Sequence, residues 1–219
     1  DGKPINMVWL RNGTTAMNAV VEMLGGVLPA GSDPFDAVMP AVLASADDCG
    51  GLAALPFLDD EPGLGVSRGG TACLVGLDGT NATPGNAGKA MLLATIFNLR
   101  MGSDVLDTQG YPRKEIVLSG GLVKTPALGQ LVADAFRTPV VILAGGVEGS
   151  GWGAAVLAAY RDACRGGGTA TWEAFLTRYA ASPAHRFTPR VGSAATLDRS
   201  YARHRRLVAV HEQFAGAGA

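Results

Sequence analysis

The stretch most informative about the fold is Ile116-Val117-Leu118-Ser119-Gly120-Gly121-Leu122-Val123-Lys124-Thr125-Pro126. A short, continuously apolar run is typical of a buried β-strand, and the two glycines predict a tight turn into an amphipathic helix over 126–136. Without side chains, Gly120 and Gly121 let a flat or anionic ligand lie against the backbone. The N-terminus of the following helix offers unpaired N–H groups, so a nucleotide is one interpretation. A plain strand-to-helix turn accounts for the same motif.

Outward from this motif, apolar strand-like runs alternate with helical patterns. The predicted strands cover 5–10, 70–77, 115–119 and 139–143. The predicted helices cover 16–24, 35–46, 86–106, 126–136, 153–163, 172–180 and 198–214. This alternation favours an α/β domain whose sheet is covered on both faces by helices.

Length and charge limit the classes of function. A chain of 219 residues that is 47% hydrophobic is long enough for one well-filled core, so we expect a single domain. The formal charge of −1, from 18 basic and 19 acidic residues, gives no field that attracts a nucleic acid or an anionic membrane. No apolar run reaches the roughly 18 residues of a membrane span. We therefore expect neither a nucleic-acid partner nor a membrane partner.

The cysteines and the start of the chain carry two further expectations. Cys49, Cys73 and Cys164 follow no metal-ligand spacing, and their odd number argues against a disulfide framework. A reducing cytoplasm is the predicted location. The chain begins Asp1-Gly2-Lys3-Pro4 and enters an apolar run almost at once, without an initiating methionine, which predicts a piece of a longer protein.

Two other glycine clusters invite ligand-binding interpretations that the sequence supports poorly. Residues 145–155 contain a degenerate dinucleotide fingerprint, but no acidic residue ends a second strand about 20 residues later, so close helix packing is the better interpretation. Residues 85–89, Gly-Asn-Ala-Gly-Lys, suggest a phosphate loop. Thr83 stands where that motif needs its first glycine, so we expect a solvated turn there.

Polar and titratable residues point to no catalytic group. Asp59, Asp60 and Glu61 could hold a metal ion or a sugar hydroxyl, although a solvated acidic turn is the simpler expectation. His185, His204 and His211 have no convergent partners in the sequence, so surface or structural roles are expected. We predict no catalytic residue and no metal ligand in this chain.

Taken in order, the segments resemble the FGGY family of carbohydrate kinases, which belongs to the actin-like ATPase superfamily. The resemblance covers nearly the whole chain. It is carried by residues 55–62, 68–77, 119–134, 148–158, 187–189 and 201–204. It implies an α/β actin-like ATPase (ribonuclease H-like) fold, with a mixed sheet covered by helices.

The resemblance also implies an activity, which is ATP-dependent phosphorylation of a sugar or polyol hydroxyl with Mg²⁺, in a cleft between two domains. A xylulose-like pentose is the favoured substrate. By position, Gly120 and Gly121 would lie against the adenosine and phosphates, Thr125 would lie near the adenine, and Gly13 would approach the nucleotide. The small residues Gly151, Gly153 and Ala154 would pack where the two domains hinge.

By the same resemblance, residues 1–219 are the C-terminal nucleotide-binding domain, without its first strands and without the N-terminal sugar-binding domain. The general base and a Gly-Thr phosphate hairpin would precede this chain. Phosphoryl transfer depends on positioning by both halves of the cleft, so an isolated copy should bind nucleotide weakly and turn over none. The predicted partners also include a second copy of the chain, in a homodimer. The alternatives are a non-catalytic actin-like module for binding or assembly and, less favoured, a dinucleotide-binding oxidoreductase domain.

Overall fold

The structure is a computed structural model that describes residues 5–168, 170–179 and 182–214. The described chain divides into two compact units. We call the first the sheet unit, formed by Lys114–Ala133 and Thr138–Thr188 together with Ile5 and Asn6. The second, the helical unit, is formed by Met7–Arg113, Asp134–Arg137 and the chain from Pro189 onward.

In the part of the chain that the structure describes, the helical unit is built from four α-helices and a two-stranded sheet. Its elements are α1 (Thr14–Gly25), α2 (Pro34–Ala44), β1 (Ala53–Leu55), β2 (Cys73–Val75), α3 (Pro84–Thr108) and α7 (Val191–Ala209). Strands β1 and β2 pair antiparallel, with Ala54 opposite Leu74. A hydrophobic cluster of Leu55, Phe57, Val66 and Val208 forms part of the core.

The helix starts in this unit follow from local sequence. Asp33 caps α2 by accepting a hydrogen bond from the Phe35 N–H, and Pro34 occupies the first helical position. Thr83 caps α3 in the same way by accepting from the Asn86 N–H. The first half of α3 is buried almost continuously.

Among its described residues, the sheet unit contains three strands and three α-helices. Its elements are β3 (Ile116–Leu118), α4 (Leu128–Phe136), β4 (Val140–Leu143), α5 (Gly149–Arg165), α6 (Trp172–Leu176) and β5 (Pro183–Phe187). The last residues of α4, from Asp134, belong to the helical unit. The strand order is β3-β4-β5, with β3 and β4 parallel and β4 and β5 antiparallel. The predicted mixed sheet is therefore confirmed.

Burial differs between the strands of this sheet. Val140, Val141 and Ile142 of β4 are at most 4% exposed, whereas Val117 at the centre of β3 is 53% exposed. Strand β5 is mostly exposed. Within the described residues, only the middle strand has the burial that was expected for the whole sheet.

The predicted strand over 5–10 is wrong. Residues 5–10 form no strand, and Ile5 and Met7 are 92% and 85% exposed. A strand needs a neighbour for its backbone hydrogen bonds, and none of the described residues pairs with this run. Apolar composition alone was therefore a poor guide here.

Other elements also differ from the prediction. Strands β1 and β5 were not predicted, because both are short and lack an alternating apolar pattern. Helix α7 begins at Val191, seven residues before the predicted start at Asp198. Helix α6 ends at Leu176 and a 3₁₀ turn continues to Tyr179. The predicted end of that helix, Ala180, lies outside the described residues.

Candidate functional site

Two glycine turns lie at one edge of the sheet unit. Because β3 and β4 are parallel, with Leu118 opposite Ile142, their carboxyl ends meet at the same edge. Gly120 and Gly121 follow β3, and Gly145 and Gly146 follow β4. Ligands of open α/β sheets bind beyond the carboxyl ends of the strands, which makes this edge the candidate site.

The first turn has a conformation that requires glycine. Gly120 has φ of +80° and precedes a 3₁₀ helix over Gly121–Lys124. A residue with a side chain rarely adopts this φ, because its Cβ would crowd the carbonyl oxygen. A Cβ added at Gly121 would meet no atom within 4 Å, so the surface above this backbone is open.

The second turn holds the first in place. The N–H of Gly120 donates to the carbonyl oxygen of Gly146 at 2.9 Å. Gly145 has φ of +76° and precedes a 3₁₀ helix over Gly146–Glu148, which leads directly into α5. The sequence had assigned this second cluster to helix packing only, and the backbone bond between the turns could not be read from it. A glycine pair after each of two adjacent parallel strands is the signal that could have found it.

Helix α5 starts close to the first turn. A Cβ added at Gly149 would lie 3.1 Å from the Cβ of Ser119, so glycine permits this approach. Further along α5, Gly151 and Gly153 are exposed and a Cβ at either would meet nothing within 4 Å. Within the described residues, these two glycines therefore do not make the close helix packing expected of them.

Thr125 lies between the 3₁₀ helix and α4. Its N–H donates to the Leu122 carbonyl oxygen at 3.3 Å, and its own carbonyl oxygen accepts from the Leu128 N–H at 3.0 Å. Helix α4 starts at Leu128, two residues later than predicted. The groups next to the glycine turn are therefore those of the 3₁₀ helix, and not the α-helix N-terminus that the sequence predicted.

Gly13 belongs to the other unit. It precedes α1, where its carbonyl oxygen accepts from the Met17 N–H at 3.4 Å. Gly120, Gly121 and Thr125 belong to the sheet unit. Of the four predicted nucleotide-binding residues, three therefore lie in the sheet unit and one, Gly13, lies in the helical unit.

The sequence suggested that the acidic turn Asp59-Asp60-Glu61 is solvated. The structure shows that its last residue is buried. The Glu61 carboxylate is fully buried and accepts from the N–H of Arg11 at 2.8 Å and from the N–H of Asn12 at 2.9 Å. It also accepts from the Asn12 side-chain amide at 3.1 Å. Asn12 Nδ2 lies within 3.2 Å of the carbonyl oxygens of Asp59 and Asp60 as well.

We call this set of hydrogen bonds among Asn12, Asp59, Asp60 and Glu61 the Asn12 clasp. Asn12 Oδ1 completes it by accepting from the Asp59 N–H at 2.9 Å. The guanidinium of Arg11 pairs with the Asp60 carboxylate beside it. The clasp fixes the chain immediately before Gly13.

Residues 85–89 are neither a phosphate loop nor a solvated turn. They form the first turn of α3, where Gly85 and Gly88 pack against α2, and a Cβ at Gly88 would lie 2.6 Å from Val42 Cγ2. The Lys89 ammonium is buried and donates to the Ser45 carbonyl oxygen at 2.6 Å. This segment therefore serves helix packing.

The histidines and cysteines show no reactive arrangement. His204 is buried, with Nδ1 3.2 Å from the Ala54 carbonyl oxygen and Nε2 2.7 Å from Asn98 Oδ1, and burial lowers its pKa to about 4. This is the structural role that was predicted. Burial raises the pKa of the Cys49 thiol to about 12, so little thiolate forms near neutral pH.

The described residues contain neither a metal-binding cluster nor a membrane-spanning helix. No cluster of three or more His, Cys, Asp or Glu side chains in 5–168, 170–179 and 182–214 is arranged to hold a metal ion. In the same residues, no helix is both long and apolar enough to cross a membrane.

Comparison with known proteins places these features in context. The model of the FGGY family of carbohydrate kinases, C-terminal domain, matches residues 14–161. Over 95 residues the chain is 35% identical to the xylulose kinase of Haemophilus influenzae, covering 42% of this chain and 19% of that protein. Over 79 residues it is 37% identical to the ribulokinase of Mycolicibacterium smegmatis, covering 34% of this chain and 14% of that protein.

Solved structures of similar proteins share the fold. A xylulose kinase from Rhodospirillum rubrum matches 94% of this chain and 39% of its own, with a TM-score of 0.76 and 24% identity. A gluconate kinase from Lactobacillus acidophilus matches 94% of this chain and 40% of its own, with a TM-score of 0.71 and 20% identity. The chain thus spans less than half of the length of each. The likeness confirms the predicted actin-like ATPase fold class.

Proposed function

Because the chain belongs to the FGGY family of carbohydrate kinases, we propose that it is the ATP-binding C-terminal portion of an enzyme that phosphorylates a sugar or polyol. The γ-phosphate of ATP would be transferred to a hydroxyl of that substrate. A xylulose-like pentose is the favoured acceptor, since a xylulose kinase is among both the relatives and the structural neighbours. The parent protein would be cytoplasmic.

The observation that carries the nucleotide proposal is the pair of glycine turns at the carboxyl edge of β3 and β4. Positions 120, 121 and 145 have no atom within 4 Å of an added Cβ, so a ligand can approach the backbone closely there. The adenosine would lie against Gly120 and Gly121, with Thr125 near the adenine. The preorganised N–H and C=O groups of the turns would fix its orientation.

Binding the nucleotide is only part of the proposed reaction. The sugar would be bound and its hydroxyl deprotonated by residues of an N-terminal domain outside this chain. Mg²⁺ would accompany the ATP phosphates. Phosphoryl transfer needs both halves aligned, so we propose that this chain alone binds ATP weakly and transfers no phosphate.

Isothermal titration of the chain with ATP tests the nucleotide proposal. We expect weak, saturable binding, and we expect Gly121→Ala to weaken it about tenfold or more, because the new methyl occupies the space where the ligand lies. Gly192→Ala is the matched control, since Gly192 is exposed in α7 and a Cβ there also meets nothing within 4 Å. Absence of saturable ATP binding, or equal weakening by both variants, would contradict the proposed site.

A second assay tests the activity. The same chain is incubated with ATP and a panel of pentoses, hexoses and polyols, and ADP formation is followed. We expect no sugar-dependent turnover from the chain alone, and turnover when it is joined to an N-terminal sugar-binding domain. Sugar-dependent turnover by the chain alone would show that the general base lies within it.

A further inference from the structure

Asn12 is the only asparagine of the chain that is followed by glycine. Asparagine side chains are chemically labile, because the backbone nitrogen of the next residue can attack the side-chain carbonyl carbon. Glycine in the next position favours this attack, since it has no Cβ to hinder the approach and adopts many backbone conformations. The sequence therefore contains one reactive pair, Asn12 and Gly13.

The Asn12 clasp holds this pair in an unreactive arrangement. Asn12 is 1% exposed, and its side-chain amide is bonded at both ends, through Oδ1 to the Asp59 N–H and through Nδ2 to Glu61. These bonds hold the side chain in one orientation, and they oppose any rotation that brings its carbonyl carbon to the Gly13 nitrogen. The reaction must therefore proceed from a locally opened state, whose population is small while the clasp is closed.

We propose that Asn12 and Gly13 form a latent deamidation site that the Glu61 carboxylate protects, and that deamidation opens the clasp irreversibly. In the first step, the Gly13 nitrogen loses its proton and bonds to Asn12 Cγ, and Nδ2 leaves as ammonia. Water then opens the resulting five-membered succinimide at one of its two carbonyl groups. The products are an aspartate or an isoaspartate at position 12.

Neither product fits the closed clasp. Nδ2 is within 3.2 Å of three acceptors, the carbonyl oxygens of Asp59 and Asp60 and the Glu61 carboxylate. An aspartate replaces this donor by an oxygen, which places acceptor against acceptor and one carboxylate beside another. An isoaspartate also adds a carbon to the main chain just before α1. In both products, the chain before Gly13 loses the three bonds that Asn12 Nδ2 donates.

The rate of deamidation in native and unfolded protein is the first test. The full chain is incubated at mildly alkaline pH with and without denaturant, and peptide mapping by mass spectrometry follows each asparagine. Asn81 is the internal reference, since it is also buried and its side chain is also hydrogen-bonded at both ends, but alanine follows it. We expect Asn12 to be stable in the native chain and to react faster than Asn81 when unfolded. Equal native and unfolded rates at Asn12 would overturn the proposal.

Two variants test the protection. Glu61→Gln should accelerate native deamidation of Asn12 about tenfold and leave Asn81 unchanged, because it weakens the charge-assisted bonds of the clasp. Arg11→Ala removes the pair with Asp60 and the contact of the guanidinium with the Trp9 ring, but keeps the backbone N–H bond to Glu61, so it should keep the fold and accelerate the reaction about twofold. An unchanged rate in both folded variants contradicts protection by the clasp. If Glu61→Gln does not fold, Arg11→Ala and the native-to-unfolded ratio of the wild type decide the question.

The last test concerns the consequence of the reaction. Asn12→Asp reproduces the aspartate product, and we expect a lower melting temperature and faster amide hydrogen exchange at the start of α1. Asn18→Asp is the control, because Asn18 is partly exposed within α1 and takes no part in the clasp. If Asn12→Asp is as stable as Asn18→Asp, deamidation does not open the clasp.

Discussion

Gly129 of α4 lies directly against the ring of Phe187 in β5. A Cβ added at Gly129 would lie 2.6 Å from Phe187 Cδ2 and would overlap the neighbouring ring carbon. The same edge is held by Gln130, whose side-chain amide donates to the Thr188 carbonyl oxygen at 2.9 Å. The exposed strand β5 is thus anchored to α4 through a position that only glycine fills.

We therefore expect Gly129→Ala to destabilise the protein by about 1–3 kcal/mol, because the methyl group overpacks the Phe187 contact. Chemical denaturation of the chain measures this change. Gly192→Ala is the control, since it replaces an exposed helical glycine with open space around it and should be neutral or stabilising by about 0.5 kcal/mol. If Gly129→Ala is as stable as Gly192→Ala, the close packing of Phe187 on α4 is wrong.

Two arginine pairs differ in the burial of their carboxylates and in the number of hydrogen bonds that the arginine donates. Arg190 donates through Nε and Nη2 to the fully buried Asp134, and its backbone N–H donates to the same side chain. Arg186 pairs with Glu115, whose side chain is 40% exposed. The two arginine side chains are almost equally exposed, at 57% and 55%.

From this difference we expect Arg190→Ala to lose about 2 kcal/mol of unfolding free energy, because a buried carboxylate loses two donors. Arg186→Ala should lose at most about 1 kcal/mol of unfolding free energy, since the Glu115 carboxylate is already partly solvated. Arg190→Lys keeps the charge but not the two-pronged geometry, so an intermediate value is expected. Equal losses for the two alanine variants would mean that burial of Asp134 does not matter.

His204 should make the stability of the protein depend on pH. Burial lowers its pKa from 6.5 to about 4, so below pH 6.5 the unfolded chain binds a proton that the folded chain resists. Its contribution is complete above about pH 6.5 and is lost as the pH falls toward 4. The expected loss is about 3 kcal/mol, after which this residue adds no further change.

The measurement is the unfolding free energy of the wild type and of His204→Gln between about pH 7.5 and about pH 4, at intervals of about half a pH unit. The difference between the two proteins isolates His204 from the other titrating groups. His185→Gln, at an exposed position in β5, is the control for replacing a histidine by glutamine. A His204→Gln profile parallel to that of the wild type would mean that His204 titrates normally in the folded protein.

The sequence predicted those parts of the fold that depend on neighbouring residues. Helices α2 and α3 were found from local signals, such as Pro34 at the first helical position of α2. Gly120 and Gly121 were found because two glycines directly follow an apolar strand. In each case the deciding residues lie within a few positions of one another.

The missed features depend on partners that are distant in the sequence. Glu61 was expected in a solvated turn, but its partners Arg11 and Asn12 lie 50 and 49 residues earlier. Strand β5 has no apolar alternation and exists through its pairing with β4, where Arg186 stands opposite Val141. Conversely, residues 5–10 had strand composition but no partner strand among the described residues. Tertiary pairing decided all three.

The second glycine turn gives the last prediction, because the sequence did not assign it to the site. Gly145 has φ of +76°, and it precedes Gly146, whose carbonyl oxygen holds the Gly120 N–H. Gly145→Ala should cost about 1–2 kcal/mol of stability, because alanine is strained at this φ. It should also weaken ATP binding, since any shift of Gly146 displaces the first turn.

Gly153→Ala is the control, because Gly153 lies within α5 with open space around it and is exposed. Calorimetric titration with ATP at a temperature where both variants are folded separates binding from stability. If Gly145→Ala loses stability but binds ATP as the wild type does, the second turn supports the fold alone and the nucleotide contacts only the turn after β3.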